Sequence, residues 1–401
     1  MHLSENDERD RITEARVDWR AGFGVLGAAF LFNLGQGVLR PSLPLYLRDV
    51  FTANYRLVTM IPVAFGAGKW VANLPTGYLL DRLGRRSLAI VGLLVIAACD
   101  VASIAVTEYA AFLTARACAG IGWAMFATVA TTAMVSRAGS RGRAISSLLM
   151  AETLGLLVGS AAGGSFYARN GAASPFVVEA GCMVLGATVV GWFGLPGSTP
   201  PVAVAARSRR GPLRDLMRVP GFVLMCCTNA AVMAIQTGVL VFLYPLYLVE
   251  RGALSPQAVG HLIALSVLGR LLALWLAGRA SDHRSRNSML ALGLGAFGIV
   301  LGTVVVARGA VLLGVWSVLL GAAAGFVAGL PTTIIGDRVN ASRHGVAIAW
   351  LRTATDAGML VGPLVMGPLA DAVDLTMPFL VAGIISCTLA WACHRHALRT
   401  S

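Results

Sequence analysis

Long runs with few or no charged residues recur from one end of the chain to the other. At about 18 residues or more, each is long enough to cross the apolar part of a bilayer as a helix. This feature removes most folds at once, because backbone N–H and C=O groups in lipid must be satisfied within a helix or a closed barrel. Alternation of apolar and polar residues with period two is absent, which argues against a barrel. Charged residues make up 13% of the chain, where soluble domains carry about 25%. Hydrophobic residues make up 57%, more apolar surface than one water-facing core can hide. The expected fold class is an all-α integral membrane protein.

Twelve transmembrane helices are expected, near residues 21–46, 57–81, 87–106, 109–135, 144–168, 173–195, 220–248, 257–279, 288–306, 309–335, 345–369 and 375–394. Residues 1–20, MHLSENDERDRITEARVDWR, lack the ordered basic region, short apolar core and cleavage site of a signal peptide. They read as a disordered cytoplasmic tail, and 395–401 as a second, shorter one. The longest connection, 196–219, is rich in Pro and Arg and separates six-helix bundles at 21–195 and 220–394. An even number of spans puts both termini on one side. With the N-terminus inside, the inner segments hold 22 basic residues and the outer segments five: Arg48, Arg56, Arg169, Arg251 and Arg308. This positive-inside bias places both termini in the cytoplasm. One lysine among 32 basic residues suggests a GC-rich bacterial genome, hence the bacterial inner membrane.

The net charge of +13 comes from arginines in short segments between apolar runs, not from one amphipathic face, so nucleic acid is not an expected partner. The seven cysteines lie in apolar runs, without C-x-x-C pairs or Cys/His clusters, and read as small packing residues. "GLGAFG" at 293–298 fits G-x-G-x-x-G but falls in an expected helix with no strand before it, so it is not a nucleotide site. A phosphate-binding loop and the H-E-x-x-H and G-x-S-x-G motifs are absent. An enzyme, a metal and a cofactor are therefore not expected. "NAS" at 340–342 falls in an inner loop, where it would not be glycosylated.

The two halves repeat. "PLYL" occurs at 44–47 and again at 245–248, 201 residues later. The same offset carries Gly37-Val38-Leu39 onto Gly238-Val239-Leu240, Gly77 onto Gly278, Asp81 onto Asp282, Arg85 onto Arg286 and Gly120 onto Gly321. Parallel repeats of six helices are a transporter architecture, with the binding site near mid-membrane between them. Lys69, the only lysine, follows the rule: Gly68-Lys69 maps onto Gly269-Arg270. Twelve residues from Asp81, at about 1.5 Å each, put Lys69 roughly 18 Å into a ~30 Å apolar layer.

"GYLLDRLGRRS", with Gly77, Asp81, Arg82, Gly84, Arg85 and Arg86, resembles the G-x-x-x-D-R-x-G-R-R signature between helices 2 and 3 of the major facilitator superfamily. Its second copy, "GRASDHRSRN", keeps Gly278, Asp282 and Arg286 but has Ser285 where the glycine would be. "RACAGIGWA" in helix 4 is similar to the family's R-x-x-x-G-x-G motif through Arg116, Gly120 and Gly122. "GLLVGSAAGG" in helix 5 resembles the G-x-x-x-G-P-x-x-G-G motif of twelve-helix drug:proton antiporters through Gly155, Gly159, Gly163 and Gly164, with Ser160 in place of the proline. Helix 11 holds a partial echo, "GMLVGPLVMG", with Gly358 and Gly362. The resemblance covers the twelve-helix pattern. It implies two pseudo-twofold-related bundles that rock about a central site, and a latch in which Asp81 or Asp282 meets a helix N-terminus of the other half, a favourable place for a carboxylate. Glycines spaced by four make smooth faces for close helix approach.

Ionisable groups at membrane depth are functional candidates. Glu152 and Asp356 lie near the middle; Asp100 and Glu179 lie in the outer half. In the resembled fold, helix 2 faces helix 11 and helix 5 faces helix 8. The implied pairs are Lys69 with Asp356 and Arg270 with Glu152; pairing within each half, or snorkelling, is the other reading. Arg116 needs a partner, whether Asp100, Glu179 or a substrate anion. Helices 1 and 7 of this fold line the cavity, which offers Asn33, Gln36, Asn229, Gln236 and Tyr244; helices 4 and 10 add Trp123, Phe126 and Trp316. Few charges and several rings suit a lipophilic or amphipathic cargo better than a sugar, whose unpaired hydroxyls would be costly. The expected function is secondary transport: proton-coupled efflux of a small molecule by a monomer in contact with membrane lipids. A lipid or glycolipid flippase and a proton-linked metabolite carrier of the same fold are the rivals.

Overall fold

The computed structural model describes residues 5–135, 141–195, 216–280, 286–339 and 344–400. Among these residues the chain is helical throughout, with no strand. Helix α1 is Glu5–Phe51. The next helical stretch, Tyr55–Ala105, breaks at Gly84, with φ 75° and ψ 160°, into α2 (55–83) and α3 (85–105). Those angles are open to glycine alone without strain, so the motif glycine makes the turn. Three more helices complete the first six: α4 (Tyr109–Val135), α5 (Arg141–Asn170) and α6 (Ser174–Phe193). The second six are α7 (Phe222–Glu250), α8 (Pro256–Ala280), α9 (Arg286–Val306), α10 (Ala310–Arg338), α11 (His344–Ala372) and α12 (Met377–Thr400). In α7 the turns from Gln236 to Leu243 widen to a π-helix. In α10 the helix is interrupted at Gly329, ahead of Pro331.

The twelve expected helices are thus present, with longer ends. Residues 5–20, expected as a disordered tail, are helical and continuous with the first span. They contain neither Gly nor Pro and are rich in strong helix formers. The last helix likewise runs on to Thr400. Residues 196–215 of the expected linker lie outside the described residues, whereas Leu216 is buried in a hydrophobic core with Phe222 and Ile334.

Among the described residues, ten of the twelve helices hold a stretch long and apolar enough to cross a membrane by composition alone. The other two are α2 and α11, which carry Lys69, and Arg352 and Asp356. Elsewhere the outward faces carry large apolar side chains such as Trp192, Leu292, Val311 and Ile384, the lipid-facing surface such a chain requires.

By internal contacts the chain forms two compact units. The first comprises the described parts of 1–39, 67–159 and 173–203. Its core joins Phe32, Leu88, Leu93, Ile96, Phe126, Met134 and Met183. The second comprises 40–66, 160–172 and the described residues from 216 onward. One of its cores gathers Tyr244, Tyr247, Phe297, Leu320 and Phe379; the other gathers Phe222, Met225, Leu290, Ile334 and Leu351.

The repeat seen in sequence is repeated in packing. Gly92 of α3 faces Met125 and Phe126 of α4; 201 residues on, Gly293 of α9 faces Phe326 and Val327 of α10. Gly68 lies against Ala117 between α2 and α4, as Gly269 lies against Val318 between α8 and α10. Gly37 of α1 meets Gly159 of α5, and Gly238 of α7 meets Gly362 of α11. A Cβ at Gly68 or Gly269 would run into the facing backbone, so these crossings exist only because the residue is glycine.

Candidate functional site

The first unit holds a buried polar cluster at one depth. Asp100 lies five residues from the end of α3, Glu179 five from the start of α6 and Arg116 seven from the start of α4. At about 1.5 Å per residue, all three sit roughly 8–10 Å from the same end of their helices. Arg116 Nη2 donates to Asp100 Oδ1 at 2.7 Å and to Ser103 Oγ at 2.8 Å. Gln36 Nε2, on α1, donates to Glu179 Oε1 at 2.5 Å. The Glu179 carboxyl also meets that of Asp100. The rings of Phe112 and Phe176 flank the guanidinium, with centroids 5.8 and 5.3 Å away. Asp100 and Glu179 are 0% exposed and Arg116 is 3% exposed, so water does not screen these charges. Of the partners open to Arg116, the protein supplies Asp100.

Lys69 Nζ stands 4.2 Å from the centre of the Trp123 ring, a cation–π contact between α2 and α4. The close approach at Gly68 and Ala117 brings these two helices together. Asn33, also on α1, is half-buried and gives its side-chain N–H to the Ala29 carbonyl at 3.0 Å. Phe126 is 3% exposed and packs against Phe32, with ring centroids 4.9 Å apart. Glu152 on α5 is half-buried.

In the second unit, Asn229 of α7 donates to Thr355 of α11 at 2.6 Å, one residue from the half-buried Asp356. Gln236 begins the π-helical turns of α7. Such turns are frequent at functional sites. Trp316 Nε1 donates to Thr303 at 3.2 Å. Tyr244 is 2% exposed, with its hydroxyl 2.7 Å from Ser317 and its ring against Phe379. Phe126 and Tyr244, expected beside a cavity, are buried in this structure among apolar neighbours. Arg270 is half-buried, its stem against Gly325 of α10.

The second unit also contains the ends of α1, α2 and α5 opposite the chain termini, here called distal. At this end α2 packs on α11, with Gly66 against Met359 and Leu360, and Thr59 against Gly367. α5 packs on α8, with Gly164 against Pro256 and Gly260 against Ser160. Both helix pairings implied by the resemblance occur. Asp371, at the end of α11, accepts hydrogen bonds from the backbone N–H groups of Tyr55 and Arg56, at 2.9 and 2.8 Å. A residue of one half thus caps a helix of the other, which satisfies two otherwise orphan donors. Beside it Glu250 accepts from the Tyr55 hydroxyl and pairs with Arg48 at 2.9 Å. Sequence reasoning did not single out this distal clasp.

Between α11 and α12, Arg251 pairs with Asp374. Two hydrogen bonds from Thr376, with Arg251 beside them, hold the Asp374 carboxyl below the ordinary carboxylate range. A depressed value means stability that is present above that range and lost as pH falls through it. The gap in thermal stability between wild type and Asp374→Ala should be widest near neutral pH and close on acidification; a gap that does not depend on pH would contradict this.

At the opposite end, Arg86 donates to the Gly191 carbonyl and Arg286 pairs with Asp337. Gly77 is exposed with open space around it, and Arg82 is exposed. Asp282 lies outside the described residues.

Twelve helices in two like sets of six, with ionisable side chains held among apolar ones, define a multi-pass membrane protein built on a duplicated six-helix unit. Comparison with known sequences and structures gives the family. The sequence profile of the Major Facilitator Superfamily matches residues 25–253 and 226–399, and the chain belongs to that superfamily. An uncharacterized MFS-type transporter, YcaD, of Salmonella enteritidis PT4 is 26% identical over 283 residues, 70% of this chain and 71% of that protein. Among solved structures, a mutant of the nucleoside transporter NupG superposes with a TM-score of 0.81 at 13% identity, covering 94% of this chain and 99% of that one. A D-xylose-proton symporter gives a TM-score of 0.74 at 16% identity, covering 94% and 97%. At such identities the likeness shows the fold.

Proposed function

We propose that this protein is a secondary active transporter that exchanges protons for a lipophilic or amphipathic small molecule, moving it outward by alternating access of its two six-helix bundles. The observation that supports this most is Lys69 over Trp123. An ammonium on an aromatic face, within an apolar helix, suits a site that handles charge and apolar surface together. In this reading Lys69 answers Asp356 and Arg270 answers Glu152 as the halves close in turn. Asn33, Gln36, Trp123, Asn229, Gln236 and Trp316 meet the cargo, with Phe126 and Tyr244 packed behind them. Asp81 and Asp282, with their neighbouring arginines, latch the inner face, while the Asp371 clasp holds the distal face.

Purified protein in proteoliposomes with an acidic interior tests this. A lipophilic cationic dye such as ethidium should dissipate the pH gradient in wild type. Lys69→Ala should cut that coupled flux roughly tenfold or more, the equivalent of about 1.4 kcal/mol. Flux unchanged by Lys69→Ala, or no dye-linked proton movement in wild type, would sink the reading. Labelled-lipid scrambling in the same vesicles would point to a flippase instead.

A further inference from the structure

The buried cluster of the first unit does not balance its charge. Two carboxyl groups, Asp100 and Glu179, share one guanidinium, Arg116. Fully ionised, the three would leave one net negative charge among side chains that are 0%, 0% and 3% exposed. An isolated charge in such surroundings is costly enough that the group takes up a proton instead. The hydrogen bonds locate the shortfall. Asp100 Oδ1 has its donor in Arg116 and Glu179 Oε1 has its donor in Gln36. Asp100 Oδ2 and Glu179 Oε2 are buried with no donor, and the Nε of Arg116 is buried with no acceptor. Two carboxylates that meet cannot donate to each other; a carboxylic acid and a carboxylate can.

We propose that Asp100 and Glu179 form a binding site for a single proton, held between the two carboxyls and read out on α1 through Gln36. With the proton in place the cluster is neutral: one acid, one carboxylate, one guanidinium. Among the described residues, the titratable side chains that the electrostatics place beside the cluster are thiols: Cys99 beside Arg116 and Asp100, with Cys118 next to it, and Cys182 beside Glu179. Ser103, Gln36 and the two phenylalanine rings add neutral groups.

The duplication supplies an internal control. Asp100 and Arg116 map, 201 residues on, to Leu301 and Ser317. Pro175-Phe176 maps to Pro378-Phe379, which carries Glu179 onto Ala382. Leu301, Ser317 and Ala382 are all 0% exposed. The second bundle thus fills the same place without any charge, so the fold does not require one there. Proton binding at this cluster is separate from the charge pairs of the transport reading and is measured without any cargo.

Infrared difference spectroscopy of the protein in lipid, between neutral and strongly alkaline pH, reads the site directly. Wild type should show at neutral pH the C=O band of a buried carboxylic acid that disappears on alkalinisation. Glu179→Gln and Asp100→Asn should each remove one proton equivalent of that band, since either leaves a neutral ion pair. Gln36→Leu should keep the band and shift it. If Asp100→Asn fails to fold, Glu179→Gln, isosteric with the protonated acid, decides. A wild-type spectrum with no such band, or one unchanged in the variants, overturns the proposal.

Discussion

Arg116→Met is expected to cost the folded protein about 3–5 kcal/mol, because removing one partner of a buried ion pair strands the other in a low-dielectric interior. Asp100 and Glu179, both 0% exposed, would then face each other with no cation. The deficit should be largest at alkaline pH and shrink on acidification, when a second proton can neutralise the pair. Thermal unfolding of detergent-solubilised protein across pH measures it. The triple variant Asp100→Leu, Arg116→Ser, Glu179→Ala installs what the second bundle already uses and should recover most of the loss. Replacing a buried ionic group by apolar residues is often neutral or better. If the single and triple variants lose the same stability, the cluster matters for packing alone.

Asp371→Ala should loosen the distal clasp. It removes the acceptor for both the Tyr55 and Arg56 backbone N–H groups. Losing a helix cap costs roughly 1–2 kcal/mol, a five- to thirtyfold change in a two-state population. A cysteine at position 59, beneath the clasp, reports the change. Thr59 is 0% exposed and packed on Gly367. In a background freed of the seven native cysteines, a membrane-impermeant maleimide should label Thr59→Cys five- to thirtyfold faster when Asp371 is alanine. Asp371→Asn, which retains an acceptor oxygen, should fall between. Equal labelling rates in all three would mean that the clasp does not hold the distal face shut.

Most of the fold was legible in the sequence because membrane helices advertise themselves by length and composition. Helices α2 and α11 were legible in the same way, as apolar runs that carry Lys69, and Arg352 and Asp356. Residues 5–20 misled because a charged segment reads as a tail, yet it is also good helix-forming sequence. At the site, Arg116 was legible as a deep charge in need of a partner, and Asp100 is only 16 residues away. The Gln36–Glu179 link was not, because 143 residues separate its ends and no motif marks it. The Asp371 clasp was out of reach for a different reason: its partners are backbone N–H groups, which every residue but proline offers. The burial of Tyr244 and Phe126 was not legible, because an aromatic ring suits a core as well as a cavity.

The uneven inheritance of the buried cluster has a wider meaning. After duplication, one bundle kept, or acquired, a cargo of acids and an arginine, while its twin settled on leucine, serine and alanine at the same three places. The two copies share a shape but no longer share a chemistry. At these three places a change in acidity would act on one bundle and leave its twin untouched.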